Sequence, residues 1–114
     1  MKVSEFLDLL KQHPEKISFN DTIETIEENY TFSPAAFSNG NTQNAANENN
    51  GSCKIFFFAQ LNKLPEDLTL HCFGDYYRID VLQNPDADDH QNIRNFMQSG
   101  WTGIHFSSVA LSKK

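Results

Sequence analysis

An asparagine- and glycine-rich segment in the middle of this 114-residue chain, Thr31–Ser52, constrains the fold more than any other feature. Its turn-favouring members are one proline, two glycines and six asparagines: Pro34, Gly40, Gly51, Asn39, Asn41, Asn44, Asn47, Asn49 and Asn50. Asn and Gly tolerate left-handed backbone and compete with regular structure. The segment therefore predicts a long loop, in which Phe32 and Phe37 anchor the first part to the core and Asn39–Asn50 is exposed. Loops of this length in small domains are usually functional or mobile.

Apolar side chains at helical spacing predict about five helices on the two sides of this loop. The predicted ranges, in chain order, are Val3–His13, Phe19–Tyr30, Cys53–Leu61, Pro65–Leu82 and Asp89–Ser99. The third is ambiguous, because three consecutive phenylalanines favour a strand, whereas Ser52 as an N-cap favours a helix, which we adopt. Trp101–Phe106 is expected to be an extended tail packed on the core, with Lys113 and Lys114 frayed. The expected fold is a mainly α, single-domain helical bundle over residues 1–114, with residues 39–50 as an exposed loop.

The charge balance excludes several classes of partner. A net charge of −6, from 9 Lys and Arg against 15 Asp and Glu, cannot supply a basic face for phosphates, so no nucleic-acid partner is expected.

The longest apolar run, Ile55–Ala59, is far shorter than the roughly 20 residues of a membrane helix, so no membrane insertion is expected. Glu5 and Asp8 interrupt the N-terminal apolar pattern, which argues against a Sec signal peptide. The two cysteines, Cys53 and Cys72, are too few for a disulfide framework and predict free thiols in a reducing compartment.

Cys53 is the candidate nucleophile. It follows Gly51 and Ser52 at the predicted start of a helix, where the helix dipole and free N–H groups favour a thiolate. His90 is the candidate general base, since a cysteine nucleophile needs an imidazole within hydrogen-bond reach. The more frequent alternative is a buried cysteine that acts as a small apolar side chain.

The same turn offers a second hypothesis, a small anionic ligand. Free N–H groups at a helix start suit phosphate or carboxylate, and we place Asn50, Gly51, Ser52 and Lys54 around them. The facing side of this candidate site comes from the last predicted helix, with Asn92, Arg94 and Asn95 as members. One glycine and one lysine do not make a P-loop, and an ordinary helix cap remains the simpler interpretation. For Arg94 the more frequent role is a structural ion pair, for which Asp75 and Glu66 are the candidate partners.

A metal centre is not predicted. His90 lies close to Asp86, Asp88 and Asp89 in the sequence, and carboxylates with imidazole suit many metals. Their spacing does not match an EF-hand, which needs a Gly and a Glu at fixed positions. Helix-capping acids in a solvated connector account for this cluster, so no metal and no cofactor is expected.

Several long sequence blocks, in the same order, resemble the HopJ (HopPmaJ-like) type III effector family. The blocks are NNGSCKIF at Asn49–Phe56, CFGDYYR at Cys72–Arg78, DHQNIRNFM at Asp89–Met97 and GWTGI at Gly100–Ile104, with YTFSP at Tyr30–Pro34 and FSNG at Phe37–Gly40 upstream. The resemblance extends over nearly the whole chain, from about Phe6 to Phe106. Relative to the family pattern, Ile79 is an inserted residue. One inserted residue rotates the rest of a helix by about 100°.

The resemblance implies a class of protein and leaves its chemistry open. The family is named after a plant-pathogen protein regarded as a type III effector, so the implied location is the bacterial cytoplasm with delivery by type III secretion. We expect an interaction protein that binds a host or bacterial protein or a small ligand. The alternative is a small enzyme, a hydrolase or transferase that uses a Cys53 thiolate with His90 as the base.

Overall fold

The computed structural model describes all residues, 1–114, and shows a mixed α/β fold. The regular helices are α1 Val3–Gln12, α2 Phe19–Asn29, α3 Asn50–Leu61, α4 Glu66–His71 and α5 Gln91–Ser99. A π-helix covers Tyr76–Val81, and 3₁₀ turns cover Pro14–Lys16 and Gly100–Gly103. The strands are β1 Tyr30–Phe32, β2 Phe37–Asn39, β3 Thr42–Asn44, β4 Ile104–Phe106 and β5 Leu111–Lys113. With 54% of residues helical and 13% in strands, the prediction of a mainly α bundle is wrong.

The first two helices follow their local sequence signals. The first ends at Gln12, just before Pro14, because the residue before a proline is disfavoured in helical geometry. The second begins after Ser18, whose Oγ accepts from the Asp21 amide at 3.0 Å. The Asp21 carboxylate in turn accepts from the Ser18 amide at 3.1 Å, which completes a capping box.

Helix α3 forms the centre of the core. Ile55, Phe56 and Phe58 are fully buried, and the Phe56 ring lies 4.9 Å from the Phe96 ring and 5.3 Å from the Phe73 ring, centroid to centroid. The prediction of a helix in this ambiguous tract is therefore confirmed. The cap is Asn49 instead of Ser52, so the helix begins about one turn earlier than predicted.

The first part of the predicted loop pairs with the C-terminal segment of the chain. Tyr30 lies opposite Lys113, Phe37 opposite Phe106 and Asn39 opposite Ile104, all in one antiparallel register. Between the two short ladders, Ser33 N–H donates to Ala110 O at 2.8 Å and Ser107 N–H donates to Ala36 O at 3.0 Å. The ladder is interrupted next to Pro34, which has no N–H to donate. The result is one interrupted two-stranded ribbon, and β3 extends its second half by pairing with β2.

Two expectations about exposure are consequently wrong. Residues 39–50 do not form a wholly exposed loop, because Asn39 and Asn44 are buried in β2 and β3. Lys113 and Lys114 do not fray, because Lys113 pairs with Tyr30 and Lys114 N–H donates to Asn29 O at 3.2 Å.

The predicted helix Pro65–Leu82 is divided at Gly74. This glycine has φ of +62°, and a Cβ there would lie 2.5 Å from the Phe19 amide nitrogen, so only glycine fits. After the break the chain forms the π-helix around Ile79. A π-helix holds more residues per turn than an α-helix, which is the geometry expected where the family resemblance implies one inserted residue.

Candidate functional site

An open cavity of about 350 Å³ lies where the starts of α3 and α5 meet. Gly51 and Ser52 line it from α3, and His90, Gln91 and Asn92 line it from the start of α5. These segments were the two sides of the surface considered from the sequence, and the structure brings them together. The remaining wall includes the aromatic side chains of Phe19, Phe73 and Tyr76.

Both helices reach the cavity without a side-chain cap. Asn49 and His90, the two N-cap residues, have left-handed backbone with φ of 52° and 51°, and neither side chain accepts from its helix. Four backbone N–H groups have no acceptor within the protein: those of Gly51, Ser52, Gln91 and Asn92. Free N–H groups and the positive ends of two helix dipoles therefore meet at one cavity.

An aromatic row forms the opposite wall. Phe19 and Tyr76 meet edge to face with ring centroids 5.0 Å apart, and Tyr76 faces the His90 ring at 5.1 Å. His90 Nε2 lies 3.0 Å from an Asp80 carboxylate oxygen, which fixes the imidazole beside Tyr76. Gly51 allows this packing, because a Cβ there would lie 2.9 Å from Phe19 Cζ.

A buried amide network joins the cavity to the sheet. Asn92 donates from Nδ2 to Asn44 Oδ1 at 3.0 Å, and Asn49 donates to the same oxygen at 2.7 Å. Asn39 donates from Nδ2 to the Asn92 carbonyl oxygen at 2.8 Å. The network fixes the hairpin β2–β3, the N-cap of α3 and the first turn of α5 relative to one another.

Cys53 lies outside this cavity. Its side chain is 1% exposed, and its Sγ donates to Ala35 O at 3.6 Å. Burial raises the pKa of the Cys53 thiol, and the Ala35 hydrogen bond and the nearby Lys54 charge offset this only in part. Its backbone N–H already donates to Asn49 O. The thiol is therefore held neutral and buried, so the geometry supports the apolar role and gives no support to a pair with His90.

Three further members of the sequence-derived set, Lys54, Asn95 and Asn50, do not line the cavity. Lys54 Nζ pairs with Glu27 at 3.4 Å and lies 4.8 Å from the centre of the Phe32 ring. Asn95 donates from Nδ2 to Asn39 O at 3.1 Å. Neither Lys54 nor Asn95 lines the cavity, and Asn50, within the first turn of α3, does not line it either.

Arg94 does not pair with Asp75 or Glu66. Its guanidinium donates to an Asp89 carboxylate oxygen at 2.7 Å and to the Pro85 carbonyl at 3.2 Å, which closes the connector before α5. The hydrogen bond from Arg94 lowers the pKa of the Asp89 carboxyl. The nearby acidic cluster does not form a metal centre, since no group of three His, Cys, Asp or Glu side chains is placed to hold an ion.

The sequence reasoning missed the aromatic wall and Gln91. Phe19 and Tyr76 fall within the predicted helices Phe19–Tyr30 and Pro65–Leu82, and an apolar helical stripe carries no signal that separates a core ring from a cavity wall. The chain breaks at Gly74, and Tyr76 therefore lies in the π-helix, whereas Leu68 lies in α4.

These features define a small α/β domain with a cavity lined by polar and aromatic side chains. The chain matches the family described as HopJ type III effector protein over residues 3–111, and it belongs to that family. A solved crystal structure described as the unknown function protein VPA0580 is 60% identical, with a TM-score of 0.99, and the match covers 100% of this chain and 95% of that one. No curated protein matches significantly. None of the helices has both the length and the apolar character needed to cross a membrane.

Proposed function

We propose that this effector-family protein is a binding module that takes a small ligand with a negatively charged group in the cavity between α3 and α5. The observation that carries the proposal is the meeting of four unpaired N–H groups, of Gly51, Ser52, Gln91 and Asn92, at one cavity. The first turn of any helix leaves N–H groups without a partner in the helix, and two such turns that open on one cavity favour an anionic acceptor from outside the chain.

The charge and shape of the cavity support an anionic group with a flat neighbour. Two helix N-termini contribute partial positive charge, which favours phosphate or carboxylate oxygens. The exposed Tyr76 ring beside His90 offers a face for a planar group. A cavity of about 350 Å³ lies at the lower end of the range for small-molecule sites.

A titration with inorganic phosphate, followed by amide chemical shifts, tests this function. Shifts at Gly51, Ser52, Gln91 and Asn92 that saturate with phosphate are the expected result, with sodium chloride at equal ionic strength as the reference. Shifts that chloride reproduces, or that spread evenly over the surface, would overturn the proposal. Sodium acetate distinguishes a general preference for oxyanions from one for phosphate.

A matched pair of variants assigns the effect to the cavity. Ser52→Asp places a carboxylate in the first turn of α3, where it should weaken phosphate binding about tenfold or more by occupying or repelling from the site. Ser4→Asp makes the same change in the first turn of α1, outside the cavity, and should leave binding unchanged. Equal phosphate affinity of the two variants would show that phosphate does not bind in this cavity.

Membership of the family supports delivery of this chain by type III secretion, which we include in the proposal. A reporter enzyme fused after the full chain should enter host cells only from bacteria with a working type III apparatus. Equal reporter signal from a secretion-defective strain would refute delivery by this route, and it would leave the ligand proposal to its own test.

A further inference from the structure

A second surface, which shares only Gln91 with the small-ligand cavity, lies between the end of the π-helix and α5. It is an open groove of about 360 Å³, and its apolar lining is Val81, Leu82, Pro85, Ala87 and Met97. Leu82 is 47% exposed and Met97 is 45% exposed. Of the seven large apolar side chains exposed on this chain, two, Leu82 and Met97, line this one groove. Exposed apolar side chains that share a groove mark an interaction site more often than singly scattered ones do.

The unpaired charges beside the groove have one sign. Asp86 and Asp88 are exposed and alternate along the chain with the lining residues Pro85 and Ala87. Neither carboxylate takes part in an ion pair within the chain. The cationic side chain in the groove, Arg94, is already held by Asp89 and the Pro85 carbonyl. The groove therefore combines apolar side chains with uncompensated negative charge.

We propose that this groove docks a segment of a partner protein that presents aliphatic side chains flanked by lysine or arginine. Aliphatic side chains would cover Leu82 and Met97, and the cationic groups would face Asp86 and Asp88. A second copy of this chain would bring the same carboxylates to the contact, and the like charges oppose that arrangement. Anionic lipid is opposed for the same reason.

The probe for this surface is a designed peptide with leucines at helical spacing and lysines on its other face. A second peptide has the same leucines with glutamate in place of lysine. The lysine peptide should bind saturably, with amide shifts centred on Leu82, Ala87 and Met97, and the glutamate peptide should bind at least about tenfold more weakly.

Near-isosteric variants separate the groove from general attraction to an acidic protein. Leu82→Asn and Met97→Gln keep the approximate shape and remove the apolar surface, and each should weaken binding about tenfold. Leu61→Asn, at an equally exposed position on α3 outside the groove, should not change it. The double change Asp86→Asn with Asp88→Asn should reduce the salt dependence as well as the affinity.

Several results would overturn the docking proposal. Equal binding of the two peptides, or equal effects of Leu61→Asn and Leu82→Asn, would show that the groove is not selective. Binding to phosphatidylglycerol vesicles without binding to the lysine peptide would indicate a membrane surface instead. Sedimentation as a dimer that Leu82→Asn dissociates would indicate a second copy as the occupant. The phosphate titration reports on a different surface, so either proposal can fail alone.

Discussion

Asn44 and Asn92 exchange two side-chain hydrogen bonds across the interior, although they are distant in sequence. Asn92 Nδ2 donates to Asn44 Oδ1 at 3.0 Å, and Asn44 Nδ2 donates to Asn92 Oδ1 at 3.2 Å. Both residues are buried. This reciprocal pair fixes β3 to α5, and it explains why an asparagine-rich segment is ordered in a position where solvent cannot satisfy its amides.

Asn92→Ala should lower the free energy of unfolding by about 3 kcal/mol, because it leaves the Nδ2 groups of Asn39 and Asn44 without their shared acceptor. Urea unfolding followed by circular dichroism measures the change. Asn41→Ala, at an exposed turn position in the same segment, should change stability by less than about 0.5 kcal/mol. Similar losses in the two variants would contradict a structural role for the network.

Iodoacetamide should alkylate Cys53 slowly in the native protein, because the thiol is buried and its raised pKa keeps it protonated. The rate should rise to that of an unfolded chain as urea is added. Mass spectrometry of the peptide that contains Cys53 follows the reaction. Rapid, stoichiometric labelling of native protein well below pH 8 would instead restore the nucleophile hypothesis.

Stability should decrease at alkaline pH because of Cys72. Burial raises the pKa of this thiol from 9.0 to about 12, so the folded state holds a proton that the unfolded chain releases above about pH 9. The contribution is full below that pH and is lost as the pH rises toward 12, with a slope of about 1.4 kcal/mol per pH unit. Urea unfolding between these limits should give a shallower pH dependence for Cys72→Ala than for the wild type, and parallel curves would contradict the assignment.

Leu111→Ala should destabilise the protein by about 3 kcal/mol, since Leu111 is buried in β5 and lies opposite Phe32. Hydrogen exchange should become faster at the amides of Tyr30–Phe32, which form the partner strand. Val109→Ala is the control, because this neighbouring side chain is well exposed and should be nearly neutral. An unprotected β1 in the wild type would show that the tail does not pair.

Local signals were sufficient for the helices that carry them. Ser18 with Asp21, Pro14 and Gly100 marked helix boundaries close to where the structure has them. The cap of α3 is the exception, because Asn49 adopts a left-handed conformation that no sequence pattern required. That shift of about one turn places Cys53 inside the core and pairs its backbone N–H with Asn49 O, so its surroundings do not favour a thiolate.

The ribbon was not predictable in the same way. Tyr30 pairs with Lys113, and neither segment has the alternation of a long strand or a turn that would join the two. The candidate cavity was predicted in part, since Gly51, Ser52, His90 and Asn92 do meet. Its aromatic side was not, because Tyr76 could be placed only after the helix break at Gly74.

The amino-acid sequence by itself determined the family, the helices with strong boundary signals, and the two polar segments that border the cavity. Those features depend on interactions within a few residues or on recognisable blocks. Only the tertiary structure decided that the asparagine-rich segment and the tail form a ribbon, that Cys53 is buried, and that the side chains of Asn39, Asn44 and Asn92 form one hydrogen-bonded network, in which Asn39 Oδ1 alone has no partner. Each of these depends on partners distant in sequence, and burial removes the water that would otherwise satisfy the same polar groups.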